Sequence, residues 1–121
     1  MDKQLFQDIA RLVNDSFIAE NSVGIDFCVQ LEIIGGTNEN WYLKIKGQKC
    51  QIENGIDPQA NAQVKIQQED LIKLMQGKLK LTMAFFTGKI KISGDQSGLL
   101  KMVSLFNIDK EKINHLLERF K

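Results

Sequence analysis

The chain has 121 residues, 43% of them hydrophobic, and its sixteen Lys and Arg against fifteen Asp and Glu leave a net charge of +1. One domain with one core is expected over residues 1–121, because a chain of this size buries roughly two thirds of the surface its unfolded form exposes. So small a net charge excludes a global field for nucleic acid, so no nucleic-acid partner is expected and any partner must be recognised locally.

The first predicted element is a helix from Asp2 to about Glu20. Leu5, Phe6, Ile9, Leu12, Val13 and Phe17 recur at spacings of three and four on one stripe, and Asp2 is a candidate N-cap. Asp2, Asp8 and Asp15 among these apolar residues exclude a secretory signal, and no run approaches the ~18 apolar residues of a membrane span, so a soluble, cytoplasmic protein is expected. From Gly24 the period falls to two. Ile25, Phe27, Val29, Leu31 and Ile33 alternate with polar residues, the Gly35-Gly36-Thr37-Asn38 turn follows, and Trp41, Leu43 and Ile45 resume the alternation as the second arm of a hairpin. Cys50 and Ile52 mark a weaker third strand, and a connection holding the only proline, Pro58, leads to a fourth with Ala62, Val64 and Ile66 facing inward. Four successive antiparallel strands are expected, with a polar outer face and the other face left for helices.

Helical spacing returns at about Gln68 and stops at Gly77. Leu79, Leu81, Met83, Ala84, Phe85 and Phe86 then lie between Gly77 and Gly88 without an acid or a histidine among them. Such a segment can supply a wall but no acid, base or metal ligand. Lys78 to Leu81 alternates like a strand, so the local pattern is ambiguous there. A fifth strand follows with Ile90 and Ile92 inward. Asp95 or Ser97 could cap the next helix, where Leu99, Leu100, Val103 and Phe106 are read as one face with Met102 at its margin. Asp109 caps a last helix striped with Ile113, Leu116, Leu117 and Phe120, and Ile108 can staple onto Ile113.

Catalytic chemistry is hard to find. His115 is the single histidine and cannot join a second one in a metal site or a conventional triad. Cys28 and Cys50 lack metal or redox spacing and have no neighbouring basic cluster, so reduced, unactivated thiols are expected. The glycines of GGTN and SGDQSG miss the phosphate-loop spacing. No catalytic residue, metal site or cofactor is therefore expected.

The stretch AFFTGKIKISGD, preceded by LIKLMQGK, resembles the signature of the sterol carrier protein 2 family, with spacing and residue types agreeing over roughly two dozen consecutive positions. The likeness is strongest from about Ala60 to Phe106, and WYLKIKGQKCQIENG is similar to the family's Trp-containing strand and the turn after it. It implies a short helix over Leu81 to Thr87. It also implies an α+β fold in which a five-stranded, largely antiparallel, one-sided sheet is covered on one face by about five helices around an apolar cavity. By the same resemblance the protein is a non-enzymatic binder of fatty acid, acyl-CoA, phospholipid, sterol or isoprenoid-like molecules. An accessory domain that hands such a substrate to lipid-metabolising enzymes is the second reading. The ERFK end departs from the S-K-L-like tripeptide of peroxisomal members.

Candidate pocket residues on this reading are Leu74, Met75, Met83, Phe85, Phe86, Leu100, Val103, Phe106, Ile113 and Leu117, with the methionines suited to a wall that repacks around several ligands. Spacing alone does not separate a stripe that lines a cavity from one that fills a core. An acyl chain of ~12 to 14 methylenes would contribute roughly 10 kcal/mol gross, which supports micromolar affinity after association costs. The helix from Asp109 to Phe120 is a candidate lid. Its Lys110, Lys112, Arg119 and Lys121 could meet an anionic membrane; a permanently docked helix is the plain alternative. Monomer and homodimer both remain open.

Overall fold

The computed structural model describes residues 3–119. Helix α1 spans Lys3–Asp15 and buries Leu5, Phe6 and Ile9, as its stripe requires. It stops five residues before the expected Glu20. Phe17 leaves the helix and pairs with Phe106 in an isolated antiparallel bridge, fixed by Ile18 N–H to Leu105 O at 2.8 Å and Asn107 N–H to Ser16 O at 3.0 Å. The two rings lie 5.5 Å apart. A long-range contact thus outcompetes the last helical turn. A 3₁₀ turn at Ala19–Ser22 follows. The expected Asp2 cap and the Phe120 and Lys121 side chains lie outside the described residues.

Five strands form one sheet: β1 Phe27–Ile34, β2 Glu39–Lys46, β3 Lys49–Asn54, β4 Ala62–Gln67 and β5 Ile90–Gly94, in the order β3-β2-β1-β4-β5. β2 and β3 are joined by Gly47 and Gln48, both at positive φ, the two-residue hairpin geometry that matches strand twist. The expectation of four successive antiparallel strands is corrected at one pairing. β1 and β4 run parallel, with Leu31 opposite Val64, while the other three pairings are antiparallel. The reason is the connection from β3 to β4, which leaves the edge strand and passes over the outer face of β2 and β1. Gln30 holds it there, donating from Nε2 to Gly55 O at 2.9 Å and accepting the Asp57 N–H at 2.8 Å.

The helices α2 Gln68–Met75, α3 Leu81–Phe86, α4 Gln96–Val103 and α5 Lys110–Glu118 complete the chain. Two glycine stops work by one mechanism. Gly77 and Gly88 adopt φ of 75° and 74°, and the amide after each bonds back five residues, Lys78 N–H to Lys73 O and Lys89 N–H to Ala84 O, both at 2.9 Å. These are Schellman caps, whose left-handed residue is cheap for glycine. Asp95 caps α4 by accepting from Gly98 N–H at 2.8 Å, and Asp109 caps α5 by accepting from Glu111 N–H at 2.9 Å.

The helices cover the face carrying Phe27, Val29, Ile45, Val64, Ile66 and Ile90. A second apolar cluster joins Leu5 and Ile9 of α1 to Met75, Ile113 and Leu116, and a third gathers Phe6, Ile33 and Trp41. α4 is rolled relative to expectation. Leu99 and Met102 are buried, whereas Leu100 and Val103 are exposed. Gly98 sets the roll, because a Cβ there would stand 2.4 Å from the Phe27 ring, so only a glycine face can press against β1.

Candidate functional site

Between sheet and helices the packing leaves a cavity of about 260 Å³. Its floor is the inward face of the strands: Val29, Leu31 and Ile33 of β1, Trp41 and Leu43 of β2, Ile52 of β3, Val64 and Ile66 of β4, and Ile90 of β5. Period-two alternation directs these side chains to one face, and the register that sets Leu31 against Trp41 and Val64 brings them side by side. Its roof comes from Phe6, Ile9, Ala10 and Val13 of α1, Leu71, Leu74 and Met75 of α2, Leu81 of α3, and Leu99, Met102 and Val103 of α4, with Phe106 and Ile108 beyond. Val103 belongs to this wall and is also 45% exposed, so it stands at the rim where the cavity meets solvent.

Of the ten residues singled out from the sequence, Leu74, Met75, Val103 and Phe106 come together in the wall. Met83, Phe85, Phe86 and Leu100 do not. They point outward, Phe86 with 82% of its surface exposed, because the six-residue α3 turns only Ala84 fully inward and Gly98 rolls Leu100 away from the sheet. Ile113 and Leu117 lie in the separate cluster between α1 and α5. The helix considered as a lid therefore seats its stripe against α1, with Ile113 wholly buried. The residues missed are those of the floor and of α1. Their alternation and stripe were visible, but they read as plain core, because the sequence signal for a floor and for a filled interior is the same.

The wall is almost purely hydrocarbon, and the two cysteines, which lie outside it, are poor reagents. Burial, then a 3.5 Å contact with Asp57, pushes the Cys28 thiol up to about 11, and burial alone pushes Cys50 up to about 11. Neither supplies a thiolate near neutral pH. His115 is exposed on α5. Among the described residues no group of three or more His, Cys, Asp or Glu could hold a metal ion, and no helix is long and apolar enough to cross a membrane.

A five-stranded mixed sheet with helices on one face and an apolar hollow between the layers defines a small α+β domain built around a hydrophobic interior space. Residues 6–107 match the SCP-2 sterol transfer family, and the chain belongs to it. Hydroxysteroid dehydrogenase-like protein 2 of Xenopus laevis is 35% identical over 102 residues, which span 83% of this chain and 23% of that protein. The chain thus spans about a quarter of the length of this curated relative. Among solved structures, palmitated SCP2L2 of Aedes aegypti superposes with a TM-score of 0.67 at 20% identity, over 90% of this chain and 99% of that one. The sec-alkylsulfatase Pisa1 from a Pseudomonas species superposes with a TM-score of 0.73 at 21% identity, over 82% of this chain and 16% of its own. At these identities the structures share the fold.

Proposed function

We propose that this chain binds and carries a hydrophobic ligand, drawn from fatty acids, acyl-CoA, phospholipids and sterol or isoprenoid-like lipids, in the cavity between sheet and helices, without chemistry of its own. The observation that carries this reading is the hollow itself, walled by apolar side chains from all five strands and four helices. A dry apolar cavity of about 150 Å³ takes a benzene ring, so one of about 260 Å³ has room for about ten carbons. Burying ten methylenes contributes about 8 kcal/mol gross, less several kcal/mol for association. Ten enclosed carbons thus leave a net of a few kcal/mol, on the order of millimolar affinity, and a longer lipid that also covers the apolar rim at Val103 reaches the tighter range that suits a carrier which must also release its load. The palmitated state of the mosquito relative supports the reading by analogy.

Native mass spectrometry of the purified protein, together with displacement of a fluorescent fatty acid, tests it. Co-purifying lipid and displacement at ~10 µM are expected; absence of both would refute it. A second reading is favoured by the partial coverage of the relatives: Pisa1 and the dehydrogenase-like protein each contain the matching region as a minority of a longer chain. On that reading the domain presents a lipid substrate to a partner enzyme. A stable enzyme complex in pull-down, combined with little lipid transfer between vesicles, would favour it over free carriage.

A further inference from the structure

Two wall residues carry side-chain hydrogen-bond donors, Trp41 and Tyr42. The Tyr42 hydroxyl is engaged, donating to Glu53 Oε2 at 2.6 Å. The Trp41 indole N–H is not: Trp41 is 9% exposed, and its Nε1 has no hydrogen-bond partner among the described residues. Everything in the apolar cluster packed around Trp41, namely Phe6, Ala10, Leu31, Ile33, Ile52 and Leu71, also lines the cavity. None of these side chains can accept its proton, Nε1 itself is closed off by its neighbours, and a buried donor left unsatisfied carries a desolvation cost that an acceptor reaching it as the wall repacks around a ligand would remove.

We infer that Trp41 is the polar anchor of the cavity, and that the ligand is a hydrocarbon-rich molecule with a neutral oxygen, a hydroxyl, ketone or ester carbonyl, that accepts from Nε1. The inference rests on the lipid-binding reading and narrows it. A carboxylate fits poorly at this position, because among the described residues no cationic side chain stands in the wall and a single N–H does not offset the burial of a full charge. The hydrocarbon supplies affinity; the oxygen supplies orientation.

Trp41 is the only tryptophan of the chain, so the indole N–H gives a single resonance and a direct readout. Titration with 1-decanol, decane and decanoate near neutral pH, followed by NMR and calorimetry, separates the possibilities. Decanol is expected to shift the indole N–H resonance downfield and to bind about tenfold more tightly than decane or decanoate. In Trp41→Phe the decanol advantage should disappear while decane binding persists, which also certifies that the variant has folded; should it not fold, the wild-type resonance decides. Equal affinity for decanol and decane without a shift, or preference for decanoate, would overturn the anchor and leave the lipid-binding reading standing. Binding of none of the three would bring down both.

A different observation carries a second proposal. Met83, Phe85, Phe86, Leu100 and Val103 are exposed on α3 and α4, which meet at the cavity through Leu81 and Val103. Lys78, Lys80 and Lys89 flank α3 and Lys101 lies on α4, all exposed, and no acidic residue occurs from Leu71 to Gly94. We propose that this face docks on an anionic bilayer, with apolar side chains in the interface and lysines at the headgroups. A second copy of the chain is the weaker occupant, because it would set lysines against lysines. Sedimentation with vesicles of phosphatidylcholine plus phosphatidylglycerol tests it. Binding that weakens with salt, is lower on phosphatidylcholine alone, and falls several-fold in Phe86→Ser and in the Lys78→Glu, Lys80→Glu double variant is expected. No binding, binding unchanged in both variants, or a solution dimer that Phe86→Ser dissolves would overturn it.

Discussion

The helical layer contains two apolar surfaces of similar composition and opposite fate. Where α1, α2 and α5 meet, Leu5, Ile9, Met75, Ile113 and Leu116 close on one another and are buried. Where α3 and α4 flank the cavity, Ala84, Leu99 and Met102 are buried, but Met83, Phe85, Phe86, Leu100 and Val103 face solvent. A stripe therefore says that a helix has an apolar face, and says nothing about whether a partner is present to cover it. The closed surface holds the roof of the cavity in place. The open one leaves apolar side chains free beside its rim.

The contrast predicts its largest effect at Ile113. This side chain is 0% exposed and locked among four others, so Ile113→Ala should cost about 2–5 kcal/mol in denaturant unfolding. A loss under about 1 kcal/mol would mean that α5 is held loosely, and would restore the lid reading.

Sheet closure can be read from a thiol. Cys28 lies on the outer face beneath the β3–β4 connection, with its ionisation raised from 9.0 to about 11. Because the raised value favours the protonated thiol in the folded state, its stabilisation is complete below about pH 9 and is lost as pH climbs towards 11. The loss is on the order of 2 kcal/mol at the upper end. Comparing the pH dependence of unfolding in wild type and Cys28→Ala isolates this contribution from lysine and tyrosine titration; identical slopes above pH 9 would show the thiol to be solvated.

Helix caps sharpen the comparison at smaller scale. Asp109→Ala removes the acceptor for Glu111 and Lys112 amides, and Asp95→Ala removes that for Gly98. Each should cost about 1 kcal/mol, the larger loss falling at Asp109, whose helix carries the closed cluster. The reverse order in thermal unfolding would indicate that α4, not α5, is the more tightly integrated helix.

Much of this fold was legible because local chemistry and tertiary structure agree. Gly77 and Gly88 announce their caps, Asp95 and Asp109 theirs, and the alternation from Phe27 to Ile45 fixes a hairpin face by face. The parallel pairing of β1 with β4 was not legible. Alternation carries no direction, and the hydrogen bonds from Gln30 that hold the crossover link residues 25 or more positions apart. Little of the wall was legible. Leu74, Met75, Val103 and Phe106 were singled out through stripes and resemblance and lie in it, whereas Val29, Leu31 and Ile66 looked like ordinary core. Phe85 and Phe86, the most conspicuous apolar pair in the sequence, face outward because a six-residue helix between two glycine caps has too little length to turn both rings inward. Their conspicuousness reflected a surface, which hydrophobicity alone does not distinguish from an interior.

The smallest expected effect is the most discriminating. Phe86→Ser and Leu100→Ser remove large apolar groups from positions 82% and 56% exposed, so little buried area and no cavity are at stake, and each should change stability by no more than about 0.5 kcal/mol. A packed phenylalanine would instead cost about 3–5 kcal/mol on truncation. The two cases differ by enough to be separated in a single denaturant series, with Ile113→Ala as the internal standard for a buried site. The Phe85 ring gives a further check, because its edge-on contact with Phe86 at 6.1 Å is the interaction the serine would remove. Such a contact is worth about 0.5–1.5 kcal/mol in a buried pair and less in water. A loss approaching that of Ile113→Ala would mean that α3 packs inward in solution and that the two surfaces are alike after all; a negligible loss would leave the exposed rings unexplained by folding and accounted for by what they touch.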